Sequence, residues 1–481
     1  MMRKFLLIIF CACALVACRE YQPSADPTLR LAFSHDTVCF DTVFTQQGSS
    51  TFTLKVYNPN PSALVIDRIL LEEGKLFRVN VDGEQDLSRL THIQINGGDS
   101  AFVFVRVTDF GALSADGVIL LEDKLLFHLA NGATQNVVLE AYGQNAVRIG
   151  KPGCGRTEFY QYKFTAAKPY LLFDTVIIGG KTTIEAGARL YMHNGACIYA
   201  LGDVIAKGTL EAPITICSDR LDRLFDSVPY RYAGGGWNGI YLQTESPQNY
   251  TFEYVDILSG TVGLSCYSTC TNPLPKLTMN GCRIHNHTLY GLILTNVDAE
   301  VSNTEISNCA SYCVYCDGGT HTFAHTTIAS YFGYTNIRVQ TVAKEDASAV
   351  FINNLQKSAP FTKSSFYNSI ITGYLKNQLV VATPFDQYYE GSFVGNYLKT
   401  DTLQIPHAER NVYWQKDDTA EVFRNTYYKY KEYIYYDFHL DSISPAKSIG
   451  DSIIALSYPI DREGITRTEG KPDAGCYQSQ P

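Results

Sequence analysis

The chain has 481 residues, with 39 Lys and Arg against 48 Asp and Glu, a formal net charge of −9. Hydrophobic residues reach 45%, enough for a packed core, so the chain is not disordered as a whole. Charged residues are only 18%, Gly (36) and Tyr (33) are plentiful, and no long basic run occurs; this excludes nucleic acid as the main partner and favours half-buried strands over helices.

At roughly 150 residues per domain, the length predicts two or three domains. Met1-Met2-Arg3-Lys4 is a basic head, and Phe5 to Ala17 is a run of apolar residues and Cys. The run is too short to span a bilayer and fits an export signal over 1–17. It ends Leu15-Val16-Ala17-Cys18, which resembles the bacterial lipobox. That resemblance implies cleavage before Cys18, lipid on its thiol, and anchorage to the outer membrane of a Gram-negative envelope, on its periplasmic or outer face. Acyl chains at about 0.8 kcal/mol per buried CH₂ would make the anchor durable. Residues 18–28, polar and carrying Pro23 and Pro27, read as a tether. Of fourteen cysteines, Cys11 and Cys13 leave with the signal and Cys18 takes the lipid. The rest are an odd set in a compartment that permits disulfides.

Residues 29–146 read as short strands separated by turn residues. Phe52, Leu54 and Val56 alternate onto one face, and Asn58-Pro59-Asn60-Pro61 ends that strand. Further runs are Leu64 to Ile66, Lys75 to Val81, Ala101 to Val107, Val118 to Leu121, Leu125 to Leu129 and Val137 to Tyr142. The spacing predicts a β-sandwich. Gly48-Ser49, Val56-Tyr57-Asn58-Pro59, Asn131-Gly132 and Ala141-Tyr142-Gly143 resemble the immunoglobulin-like modules of the ASH and bacterial DUF1573 type. That resemblance implies a spacer or protein-binding unit. Residues 147–165 read as a linker.

A repeat follows. Met279-x-x-Cys282-x-Ile284 recurs as Val301-x-x-Thr304-x-Ile306 and Phe323-x-x-Thr326-x-Ile328, twenty-two residues apart each time. Phe252-x-x-Val255-x-Ile257 precedes it. Phe366-x-x-Ser369-x-Ile371 follows at forty-three residues, read as two periods. Gly263-Leu264, Gly291-Leu292 and Cys313-Val314 form a second column; Ser259, Asn286, Asn308 and Ser330 form a third, expected to be a hydrogen-bonded side-chain ladder. One such coil cannot bury its own apolar residues, so coils stack about 4.8 Å apart and share a core. The prediction is an all-β chain: a β-sandwich, then a parallel β-helix of roughly twelve coils over 166–440, then a closing segment over 441–481.

Thr183 to Leu190, Gly195 to Ile198, Leu201 to Thr209, Pro213 to Ile216 and Gly235 to Ile240 look like the opening coils of right-handed, single-stranded parallel β-helices of the pectin-lyase-like superfamily. Tyr436 to Leu440, Ser444-Pro-Ala446 and Pro472 to Tyr477 resemble the closing segment of such proteins. The resemblance implies exported proteins that handle or contact polysaccharide, many without known activity.

Candidate chemistry is sparse. Asp256, Arg283 and Glu305 share one register position on consecutive coils and are expected to face solvent. Two carboxylates about 9.6 Å apart are near the upper edge for an inverting hydrolase, and an Arg between them suits a lyase base; the plain alternative is an ion-pair ladder. The superfamily's polygalacturonase signatures are missing in register, Asn296-Val-Asp298 matching by letters only, and so is an Asp-rich calcium cluster. Cys309-x3-Cys313-x2-Cys316 has the spacing of a radical-SAM cluster motif. A local disulfide, zinc shared with His285, His287 or His321, or packing as small apolar residues are the alternatives, and the interior columns favour packing. Tyr388, Tyr389, Tyr427, Tyr428, Tyr430, Tyr433, Tyr435 and Tyr436 could stack on sugars or cap the solenoid. The sequence thus predicts an envelope protein anchored to the membrane through Cys18. It binds polysaccharide or an envelope protein without catalysis, metal or cofactor. A lyase or hydrolase using Asp256, Arg283 and Glu305, and a structural spacer, are the alternatives.

Overall fold

The structure, a computed structural model, describes residues 22–108, 110–113, 117–224, 228–332, 348–354, 362–382, 389–401, 409–416, 420–426, 436–467 and 470–480. The export signal, Cys18, Tyr388, Tyr427, Tyr428, Tyr430, Tyr433 and Tyr435 lie outside these residues. No described helix is long and apolar enough to cross a membrane. The chain forms two compact units, divided between Asn145 and Ala146. The fold is all-β: a sandwich, then a right-handed parallel β-helix.

The first unit packs a four-stranded antiparallel sheet and a five-stranded sheet around one core. Leu54 and Val56 of Phe52–Tyr57 are fully buried, as the alternation predicts, in the same core as Phe127, Val137 and Leu139. The strand ends where Asn58 turns inward, its amide donating to Ser62 O and Ile95 O at 2.8 and 2.9 Å. The runs Val118 to Leu121 and Leu125 to Leu129 prove to be one strand, Val118–Leu129. Asp123 does not break it, because its carboxylate accepts the amides of Glu73 and Gly74 at 3.0 and 2.9 Å.

The second unit is the solenoid. Each coil contributes one strand to an eleven-stranded parallel sheet, as Val255–Leu258 does. Two more, such as Val262–Ser268 and Lys276–Asn280, go to an eighteen-stranded sheet. Register is set by apolar side chains stacked rung over rung. Tyr170, Leu190, Ile216, Ile257, Ile284, Ile306, Ile328, Ile371 and Leu398 pair in succession, and all are buried. Each such side chain contributes about 1.5–3 kcal/mol by leaving water. Phe323, Phe366 and Phe393 stack in a second interior row, with ring centroids 4.8 and 5.5 Å apart. Leu264, Leu292 and Val314 align as the second sequence column predicts.

Four expectations are corrected. Ile328 pairs directly with Ile371, so the forty-three residue step is one enlarged coil, with its excess in 333–347 and 355–361, outside the described residues. Residues 147–165 are no linker: Val147–Ile149, Arg156–Phe159 and Tyr162–Phe164 pair in parallel with the next coil, and Phe164 is fully buried. The described stack ends at Tyr413–Trp414, whereas Asp437–Leu440 pairs antiparallel with Phe423–Asn425 outside it.

The fourth concerns the corners. Ser259, Asn286 and Asn308 share positive φ (62, 66 and 51°), and their side chains bond backbone: Arg231 O, Tyr232 O and Tyr331 N. A polar ladder lies instead in the Cys282/Thr304/Thr326/Ser369/Asn396 column. Cys282 N donates to Thr304 Oγ1 (3.3 Å), Thr326 N to Ser369 Oγ (3.0 Å) and Ser369 N to Asn396 Oδ1 (2.8 Å). The residue before each is left-handed: Gly281, Asn303, His325, Asn368 and Gly395, with φ from 47 to 68°. Gly and Asn tolerate that conformation best, which is why they recur there.

Candidate functional site

Residues flanking an inward Ile point out of the sheet. Asp256, Arg283 and Glu305 therefore form one outward column and Leu258, His285 and Ser307 another. The stacking matches expectation, but the exposure does not: Glu305 is only 4% accessible. The reason is the chain beyond the solenoid, which folds back over this face as a strap. Phe423, Phe438, Leu440, Ala446, Ala474, Cys476 and Tyr477 pack on Ala329, Ile370 and Tyr397 in a separate apolar cluster. The motif residues that resemble a closing segment thus cover a side of the stack. Arg462 and Tyr477 carry no partner that repeat or spacing could reveal, yet both reach the charged column. Arg462 Nη2 donates to Asp256 Oδ1 at 2.7 Å, and Tyr477 OH donates to Glu305 Oε2 at 2.5 Å. Arg467 Nη1 donates to Asn303 Oδ1 at 2.7 Å.

Beneath the strap, Ser307 Oγ donates to Glu305 Oε1 at 2.5 Å and lies 2.7 Å from His285 Nδ1, itself 3.6 Å from Glu305 Oε1. Serine, histidine and acid are all present, yet both partners crowd the same ring nitrogen. A relay needs the acid on one nitrogen and the hydroxyl on the other. Burial opposes the charge on Glu305, but the His285 hydrogen bond and Arg283 outweigh it and hold the carboxyl well below its usual range. Burial also keeps His285 neutral, pushing its pKa down. The trio is a closed ion cluster, Asp256 and Glu305 each tied to the strap.

Open space lies beside the strap. A cavity of about 430 Å³ is lined by Arg424, His439, Lys447, Glu463 and Tyr477. A second, about 700 Å³, is lined by Tyr331, Tyr374, Lys376, Lys399, Arg424 and Asp441. Arg424 lines both, its side chain 61% exposed and 3.9 Å from Asp437. His439 bridges Asp437 (2.5 Å) and Glu463 (3.1 Å). Its hydrogen bond to Asp437 raises its pKa. At Asp437 burial opposes the charge, but the same hydrogen bond outweighs it and lowers the pKa. A hydrolase needs one carboxyl held protonated as the acid. Asp437 is held in the opposite sense, and the cleft beside it has in Arg424, Lys447 and Glu463 the groups to bind a polar ligand.

Elsewhere, half-buried Tyr290, Tyr312, Tyr315 and Phe351 cluster on the outer face of the larger sheet, Tyr312 and Phe351 stacking at 4.8 Å. Of the late tyrosines that are described, Tyr436 stacks on Phe438 within the strap. Cys309, Cys313 and Cys316 are fully buried in the solenoid core, as packing in an interior column predicts, and Cys316 pairs with Leu294 of the preceding coil. Burial pushes the Cys309 and Cys316 thiols up, away from the thiolate that a cluster needs. Among the described residues no three His, Cys, Asp or Glu side chains converge on a metal position. Asn296 sits at a corner with φ of 53°, and Asp298 is exposed on the strand beyond it.

No family model matches the chain, and no curated protein does. Among solved structures it is similar to the ASH/PapD-like domain 7 of human CEP192, at 9% identity and a TM-score of 0.18, over 27% of this chain and 93% of that one. It is also similar to the VesB protease of Vibrio cholerae (13%, TM-score 0.18, 24% of this chain and 31% of that) and to the E. coli chaperone DraB (15%, TM-score 0.17, 24% and 55%). Likenesses at these scores carry no implication for activity or partners.

Proposed function

We propose that this chain is a lipid-anchored protein of the Gram-negative envelope, of the pectin-lyase-like β-helix type, that binds polysaccharide without cleaving it. The observation that carries the binding reading is the pair of polar cavities meeting at Arg424. Concave sites with aromatic walls and a few convergent polar groups are where small and chain-like ligands bind. Tyr331, Tyr374 and Tyr477 supply rings, and Arg424, Lys376 and Lys447 supply donors. The closed state of Asp256, Arg283 and Glu305 supports their assignment to the fold.

The test is a glycan array with the chain from residue 19, run beside a turnover assay for new reducing ends on the same glycans. Binding without turnover, weakened at least about tenfold in Arg424→Ala, is expected. Turnover that disappears in Arg283→Ala would establish the lyase or hydrolase reading, and no retained glycan would leave a spacer. The anchor is tested separately: cells fed radiolabelled palmitate should label the wild-type chain and not Cys18→Ala, and equal labelling would refute lipidation at Cys18.

A further inference from the structure

At one corner of the solenoid, Asn296, Gly318 and Asn354 follow one another on consecutive coils, next to the paired residues Thr295, Asp317 and Asn353. Asn296 and Gly318 both have positive φ, 53 and 76°. Gly318 has no side chain, so its place in the column is a slot. A Cβ built there would meet Asn296 Oδ1 at 2.4 Å and Asn354 Oδ1 at 3.6 Å. Amide oxygens from two different coils therefore border this one position.

Neither oxygen has a hydrogen-bond partner, and both residues are at least nine-tenths buried, Asn296 at 3% exposure and Asn354 at 5%. Asn296 uses only its amide nitrogen, donating to Ser268 O at 3.2 Å, and the Asn354 amide has no partner on either atom. The buried amides of Asn368 and Asn396, in the ladder column and beside it, are satisfied at both ends. Asn368 bonds Asp451 N and O, and Asn396 bonds Ser369 N and Phe366 O. Burying an acceptor unpaired is costly, so two unpaired acceptors bordering one position mark a place for an electropositive guest. Asp317, one residue before the slot and 3% exposed, adds a carboxylate to the same coil.

We propose that the Gly318 slot is a binding site for a hard metal cation of the calcium type, ligated by Asn296 Oδ1 and Asn354 Oδ1. Hard cations take amide, carbonyl and carboxylate oxygens, at about 2.3–2.6 Å for calcium. The ion would tie two non-adjacent coils across the coil that lacks a side chain. The site is independent of the cleft at Arg424.

The experiment is isothermal titration of the full chain from residue 19, first stripped with chelator, with Ca²⁺, Mg²⁺, Na⁺ and K⁺ in turn, together with thermal unfolding. One saturable site per chain is expected for at least one of these ions, with a rise in melting temperature on loading. Asn354→Leu abolishes the saturable heat while the far-ultraviolet spectrum is unchanged. Asn354→Asp adds ligand charge and tightens binding about tenfold, an effect that loosened packing would not produce. No saturable heat with any of the four ions, or the same affinity in wild type and both variants, overturns the site and leaves a bridging water in the slot.

Discussion

Lowering the pH from 7 toward 4 should destabilise the β-helix by about 1.4 kcal/mol per pH unit for each histidine that is buried neutral. His285, His287, His321 and His325 are all buried, and burial pushes each pKa down, to about 3 for His287 and His321. In the unfolded chain each takes up a proton near pH 6.5. Below that pH the unfolded state binds more protons, so stability falls with falling pH until the folded histidines titrate. His439 works in the opposite sense. Its raised pKa gives stability that is complete below about pH 6.5 and lost as pH rises through its folded value. Both tryptophans, Trp237 and Trp414, belong to the solenoid, so their fluorescence reports this unit alone. Urea unfolding followed by tryptophan emission at pH 7, 6 and 5 should give a slope of about two protons or more at pH 5, the share of His287 and His321 alone. A slope of one proton or fewer would mean that these histidines are not held neutral.

Glu305→Ala should cost about 3–5 kcal/mol, the penalty for leaving a buried ion cluster without one partner. Its carboxylate meets Tyr477 and Ser307, and it faces Arg283 and His285. Asp256→Asn should cost less, about 1–3 kcal/mol, because the amide keeps an oxygen acceptor for Arg462 and the position is 22% exposed, although the mostly buried guanidinium loses its counter-charge. Urea midpoints of the two variants measure the contrast. Equal, small losses would show that the strap does not seal Glu305.

The sequence carried the interior and little of the outer face. The Ile284, Ile306 and Ile328 row was legible because stacked coils repeat the same apolar demand every rung. Cys316 was legible as a core residue for the same reason. The enlarged coil after Ile328 was misread because a direct stack across an insertion has the same spacing as two short coils. The strap was recognised as a terminal segment through Pro472 to Tyr477 but could not be placed. Its contacts with Asp256 and Glu305 span 206 and 172 residues, and no period links them. The left-handed corner was present as Gly281, Asn303, Asn368 and Gly395, always one residue before the Cys282/Thr304 column, a signal carried by Gly and Asn that apolar periodicity passes over.

A structural role for the charged column requires the strap to lie closed over it. Native-state hydrogen exchange of the Gly475 and Cys476 amides tests this most directly, since they bond Asn368 O and Thr327 Oγ1 at 2.8 and 3.1 Å. Protection as strong as that of the Ile306 amide, within about tenfold, is expected if strap and solenoid open together. Exchange of both amides at the rate of a free loop, with Ile306 still protected, would contradict it and return Asp256, Arg283 and Glu305 to solvent.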